Sequence, residues 1–424
     1  MKNLIFTLIL IAFSATAFSQ NLLDIYKKGT VKLVPDEKFA AGNDWDRVFE
    51  TYYDTLYGKP MGNRKSLIVL PDGSVVVNHA YHNYYSKFSP QGKFQKEFKV
   101  INESGIPFKK TQPIEGIINS NTFFTGLDNM GNMLCFDFDG GYKKTLKLDY
   151  MAKQMIPLPN GKIAVVGWVI WKEQFRDFVA LVDYNTNKEK IIWDHFTDRC
   201  APDEHCKLFS YSYTFNERGM ISINTMPYTG SLGLSARPQI ASIDGKLLIA
   251  CPTNGDLFVY DLNGNQVAKD KIEWAQNYIS VEEQKEIQQK AIDKYKQMQG
   301  VEFASWVSPE ENKKAIQTIL QEMEADLSKI KDPVPVPVFS TMLQDSDGNI
   351  LIFEYPKEKG ANKFHVWVYK MDGMFIGEST FVCDDYDLEI NPSKMVFHNG
   401  YIYGLQKLKN ATGVPLRLVR FKLM

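Results

Sequence analysis

An all-β fold built from a repeated four-strand meander is what this sequence predicts, on three observations. Apolar runs of about four to six residues, rich in β-branched and aromatic side chains, recur along most of the chain and are too short for helices. Asp-Gly, Asn-Gly and Gly-Gly pairs separate them at hairpin spacing. The run-turn-run unit comes back six times, and a lone meander leaves an apolar face that radial stacking covers while protecting strand edges. The predicted fold class is an all-β, six-bladed β-propeller with a helical-hairpin insertion between blades four and five.

Taken in order, residues 1–19 stand apart. Lys2 precedes an apolar run from Leu4 to Phe13 that is too short to span a bilayer, and Ala15-Thr16-Ala17 offers small residues for cleavage before Gln20. This is the pattern of a signal peptide, so the expectation is an exported protein, periplasmic or extracellular, with no membrane span. Residues 20–424 form the propeller, with residues 275–332 as the helical insertion. The formal net charge of -1 over 424 residues gives no bulk attraction for nucleic acid or anionic membranes. An oxidising destination permits disulfides. Cys200 and Cys206 are spaced to close a small loop, and a disulfide and a metal site shared with His205 both stay open. Cys135, Cys251 and Cys383 sit in or beside strand-like runs and read as buried hydrophobes.

The first unit runs Ser66–Leu70, turn at Gly73, Ser74–Val77, Tyr84–Phe88, turn at Gly92, Lys93–Val100. The second starts at Glu115, the third at Met155, the fourth at Gln239, the fifth before the Asp347-Gly348 turn, and the sixth at Lys394. The sixth stops after its third strand, and Thr30–Val34 is placed to supply the fourth. A hairpin around Phe209–Phe215 and Met220–Asn224 lies between the third and fourth units, either as an addition to one face or as half of a seventh blade. Ser280-Val-Glu-Glu283 and Ser308-Pro-Glu-Glu311 are capping boxes that open two helices, and Asp332-Pro-Val-Pro-Val-Pro337 ends the second. The second helix carries one apolar stripe, Ile316, Ile319, Leu320, Met323, Leu327 and Ile330. Laid on the propeller it would be packing; turned outward, a partner-docking or lid element.

Long loops fall at one end of the ring, where the innermost strands begin, so function is expected there. Eight residues occupy those strand starts: Arg64, Lys65, Glu115, Lys153, Arg237, Ser340, Asn391 and Lys394. Five are cationic in a neutral chain, which suits a small anionic ligand; ordinary strand-end charges are the plainer explanation. Trp168 and Trp171, in Trp168-Val-Ile-Trp171-Lys-Glu-Gln-Phe175-Arg176-Asp177, have the composition of a glycan- or peptide-binding surface, although a Trp at a strand end also packs between blades. His79 and His82 lack an adjacent acidic third ligand. Asp345-Ser-Asp347 has Gly at the wrong position for a calcium loop and reads as a turn, while Asp384-Asp385-Tyr-Asp387 could hold a cation at the long-loop end. No nucleophile elbow, phosphate loop or zinc-protease helix is present in the sequence, and no cofactor is indicated.

The repeated turn Gly, apolar strand, loop, aromatic-rich strand and second Gly turn resembles the TolB-like and NHL-like six-bladed propellers, and in particular their secreted Bacteroidetes type. Tyr84–Phe88 and Asp256–Asp261 approximate the third strand of NHL blades. The resemblance implies a scaffold, not a reaction. Two functions follow as expectations: a non-catalytic propeller binding a ligand or protein partner on its loop-rich face, or a metal-dependent hydrolase or lactonase with Glu115, Asn391 and an acidic residue near Asp384 around a tunnel ion.

Overall fold

The computed structural model describes residues 21–424 except 57–58, 61–63, 81, 83, 102–103, 106–110, 120, 128–131, 172–173, 199–208, 216–220, 228–236, 298–307, 356–361 and 371. The chain is mostly β, with 48% of it in strands and 15% in helices. Helix α1 (Leu22–Tyr26) leads into strand β1 (Thr30–Pro35). A first four-stranded antiparallel sheet follows, with β2 (Lys65–Val69), β3 (Val75–His79), β4 (Tyr84–Phe88) and β5 (Phe94–Phe98) in sequence order. The second sheet spans Thr111–Asn119 to Tyr142–Leu146, the third Met151–Leu158 to Glu189–Asp198, and the fourth Gln239–Ile243 to Gln266–Lys271, all with the same simple order. The hairpin of Phe209–Phe215 and Ile221–Pro227 forms its own two-stranded sheet. A nine-stranded sheet holds the rest: a fifth meander from Phe339–Gln344 to Phe375–Val382, and a sixth from Met395–His398 through Tyr401–Leu408 to Leu416–Leu423.

Local chemistry explains the repeat. The first hairpins of the third, fourth and sixth meanders turn on Asn160-Gly161, Asp244-Gly245 and Asn399-Gly400, with both residues of each pair at positive φ. This is the two-residue turn whose twist matches antiparallel strands. At the second hairpin, an Asp ending the third strand accepts backbone N–H groups of the turn beyond. Asp137 takes Asp139 and Gly141, Asp183 takes Asn185 and Thr186, and Asp261 takes Asn263 and Asn265, all within 2.7–3.0 Å. Those hydrogen bonds hold the Asp183 and Asp261 carboxyls below their ordinary range. In five sheets the ladder between third and fourth strands also slips at one place, such as Lys87/Phe88 and Val259/Tyr260. Such a bulge sharpens the local twist.

The core is divided between sheets. Alternate residues of one strand face opposite neighbours: Ile68 and Leu70 pack with Phe123 and Leu134 of the second sheet, whereas Leu67 and Val69 pack with Leu405 and Leu418 of the sixth. Further clusters join second to third, third to fourth, fourth to fifth and fifth to sixth. Both faces of these sheets are buried, which is why their strands are written as continuous apolar runs. β1 completes the last meander, with Leu33 opposite Leu423 and Pro35 opposite Phe421. Its first half pairs instead with the fifth, in parallel, Thr30 opposite Thr380.

The two capping boxes open helices α2 (Val281–Gln297) and α3 (Pro309–Leu327), each Ser hydroxyl accepting the backbone N–H of the Glu three residues on. The stripe on α3 faces α2: Ile316, Ile319, Leu320 and Met323 gather around Ile292 in a cluster made of helix residues. The expectation that this stripe lies on the sheets is corrected accordingly. Gln284 fastens the base by donating to the carbonyls of Ile279 and Asp332, 3.1 and 2.9 Å away.

Candidate functional site

The innermost strands begin at one end, and the backbone brings two of their starts together. The Leu67 amide donates to the Ser393 carbonyl at 3.0 Å, placing Lys65 beside Lys394. Both are 3% exposed, and the Lys394 ammonium donates to the Lys65 carbonyl. Among the described residues the Lys65 ammonium makes no hydrogen bond or ion pair. Burial first, then the Lys394 charge, push its pKa down to about 8, against a weaker pull from Asp54.

Across the ladder from Lys65 stands His79. It is fully buried, its Nε2 lies 2.8 Å from Ser86 Oγ, and its ring stacks on Tyr84 with centroids 4.1 Å apart. Burial, then the Lys65 charge, hold its pKa well below the usual value, so it stays neutral. His82 lies 3.6 Å from the Asp54 carboxylate, yet burial still holds its pKa below the ordinary range. Burial pushes the Tyr84 phenol up to about 12. This pocket of groups resists further positive charge, and a buried ammonium in it gains from an anion.

A second pair forms between the third and fourth sheets. Arg237 ion-pairs with Asp177 at 2.9 Å. The Trp168 ring lies 4.8 Å from its guanidinium carbon and 5.5 Å from the Lys153 ammonium. Desolvation, then Arg237, lower the Lys153 pKa, while Asp177 opposes them. Half-buried and crowned by two cations, Trp168 is not the open stacking surface its composition suggests. The five cations predicted at one mouth thus resolve into two neighbouring pairs and an exposed Arg64.

The side chains of Glu115 and Trp171, the Cys200–Cys206 loop and residues 1–19 lie outside the described residues. Other strand-start groups serve the backbone: Ser340 Oγ donates to the Phe353 carbonyl, and Asn391 Oδ1 accepts from the Ser393 amide. Asp384 is exposed and ion-paired with Lys32 at 2.9 Å. The Asp345 carboxylate is occupied by the Asp347 and Asn349 amides and the Tyr26 hydroxyl, which makes a turn of the calcium-like stretch. No three His, Cys, Asp or Glu side chains converge as metal ligands among the described residues.

Sequence reasoning missed Asp54, whose charge acts on Lys65, and Ser86, which meets His79, and it read Asp177 only as the end of the Trp168 stretch and not as the partner of Arg237. It also missed the Gln clasps. Gln154 both donates to and accepts from the backbone of Ile240, at 3.0 and 2.9 Å, and Gln239 does the same to Ser340 and Met342. A Gln heading the apolar part of consecutive inner strands was the available signal.

No protein-family model matches the chain, and no curated protein does. Among solved structures, it is similar to a DUF4221-family protein from Bacteroides vulgatus, at 12% identity and a TM-score of 0.45, over 93% of this chain and 99% of that one. A virginiamycin B lyase from Staphylococcus aureus is similar at 11% identity and a TM-score of 0.37, over 86% and 97% of the two chains. A gluconolactonase from Xanthomonas campestris gives 8% and 0.39, over 83% and 82%.

Proposed function

We propose that the protein is an exported six-bladed propeller of TolB-like or NHL-like kind, carrying a helical insertion between blades four and five. It binds a small anionic ligand, without catalysis, at the end where its inner strands begin. The cyclic sharing of apolar clusters between successive sheets, the last with the first, supports the six-bladed ring. Export rests on residues 1–19, and no helix of the described residues is long and apolar enough to cross a membrane.

One observation carries the ligand: the Lys65 ammonium is buried beside Lys394 with no ion pair among the described residues. A bound anion relieves that repulsion, and the Lys65–Lys394 pair is therefore the preferred site over Lys153–Arg237, where Asp177 already supplies a carboxylate. Thermal shifts with phosphate, citrate and galacturonate test the reading. At least one should raise Tm, the rise should vanish in Lys65→Met, and it should survive in Lys153→Ala. Absence of any shift in the wild type, or a shift unchanged in Lys65→Met, defeats it.

A further inference from the structure

Strand β1 leaves the last sheet early. It covers the outer edge of the final strand only from Met424 back to Arg420: Lys32 and Met424 exchange backbone hydrogen bonds, and the Asp36 amide donates to the Arg420 carbonyl. These bonds show that even-numbered residues of the final strand turn their backbone groups to that edge. The opposite ladder, to Tyr401–Leu408, runs without a slip from Lys422 to Leu416. Leu418 therefore presents its N–H and C=O to the edge position after β1 has turned away. No backbone hydrogen bond from the segment that follows β1 reaches either group, and Leu418 is only 2% exposed.

At this place a cleft of about 410 Å³ opens. Leu418 and Val419 form its floor, Phe39 and Trp45 one wall, and Tyr386 the other. It lies between the segment Pro35 to Gly42 that follows β1 on one side and Asp385, Tyr386 and Leu408 on the other. Arg417 stands at its rim, one guanidinium nitrogen fixed by the carbonyls of Val414 and Leu416 and the group 5.7 Å from the Trp45 ring. No carboxylate comes within ion-pair distance of Arg417 among the described residues, although the Asp46 charge acts on it from beside Val414, whereas neighbouring Arg420 is held by Asp36 at 2.5 Å. The cleft thus offers a strand edge, walls in which Phe39, Trp45 and Tyr386 stand among Asp36, Glu37 and Asp385, and one anchored cation.

We infer that the cleft takes an extended segment of a partner protein, which adds as a strand at Leu418 and sets a carboxylate, its C-terminus or an acidic side chain, on Arg417. Main-chain pairing supplies affinity in such strand addition, and the flanking pocket supplies selection. The site is separate from the Lys65–Lys394 pair and stands or falls without it.

A phage library displaying random peptides of about eight residues with free C-termini tests this, panned on the full mature chain. Leu418→Pro removes the outward N–H alone, because the ladder to the preceding strand uses the odd-numbered residues, and a proline is tolerated at a strand edge. Arg417→Gln removes the charge and keeps a donor. Enriched peptides should be extended, carboxylate-bearing sequences whose affinity falls about tenfold or more on each variant. Amidating the carboxylate should weaken binding to the wild type while leaving binding to Arg417→Gln unchanged, and the bound peptide should protect the Leu418 amide from hydrogen exchange. No enrichment over an unrelated protein overturns the inference. So does equal binding to both variants while their melting curves match the wild type. If Leu418→Pro fails to fold, Arg417→Gln and the exchange measurement decide.

Discussion

At the scale of single residues, Lys65 separates stability from function. Its folded pKa, about 8, lies below the ordinary lysine value of 10.5. The folded state therefore carries the full cost of the buried charge below pH 8. Between pH 8 and 10.5 the unfolded chain holds more protons than the native one, so this group makes stability rise with pH across that window. The shift corresponds to roughly 3 kcal/mol. Lys65→Met should accordingly be the more stable protein at pH 7, and its advantage should shrink between pH 8 and 10.5. Urea unfolding of both proteins at pH 7 and pH 10 checks this, and a methionine variant that is less stable at pH 7 refutes it. His79 acts in the opposite part of the scale. Its depressed pKa contributes stability that is present above pH 6.5 and lost as acid protonates the unfolded chain in preference to the native one. That Lys65 sits at a strand start was legible from the repeat. Its burial was not, because Asp54, Lys394 and the Tyr84–His79 stack arrive from elsewhere in the chain.

At the scale of elements, what the sequence made legible was whatever its own few residues decide. The Asp-Gly and Asn-Gly turns, the two capping boxes and the apolar runs each depend on neighbours within about four positions. The docking of α1 does not. Tyr26 donates its hydroxyl to Asp345 at 3.0 Å, over 319 residues of separation, and the Ser379 hydroxyl donates to the Tyr26 carbonyl at 2.6 Å. Asp345 thus serves two masters, organising its own turn and holding the N-terminal helix on the fifth meander. Tyr26→Phe should cost about 1 kcal/mol, one buried hydrogen bond, while Asp345→Ala should cost roughly 3 kcal/mol by also orphaning the turn amides. The double variant should lose less than the sum, since both remove one shared bond. Chemical denaturation of the three proteins gives the coupling; strict additivity would mean that the helix does not rest on this contact.

At the scale of the whole molecule, the ring depends on one strand that belongs to two meanders. The missing fourth strand of the last unit was legible as an arithmetical gap, and Thr30–Val34 as the segment to fill it. The split was not legible: β1 pairs in parallel with the fifth meander before it turns to the sixth, because it must bridge the twist between them. Val31 and Leu33 are both within 1% of full burial in the cluster shared by those two sheets. Leu33→Ala should therefore cost about 2–5 kcal/mol, as core truncations do, without altering the number of transitions. Removing residues 21–36 is a different perturbation. It strips the fourth strand from one meander and the link between two, leaving the final strand open along its whole outer edge. The shortened chain should lose its single cooperative transition, since neighbouring units then unfold with less coupling. Calorimetry on the two proteins distinguishes the cases. One sharp endotherm shifted to lower temperature is expected for Leu33→Ala, and a broadened or multiple one for the deletion. A deletion that melts as sharply as the intact chain would show that the ring is closed without β1.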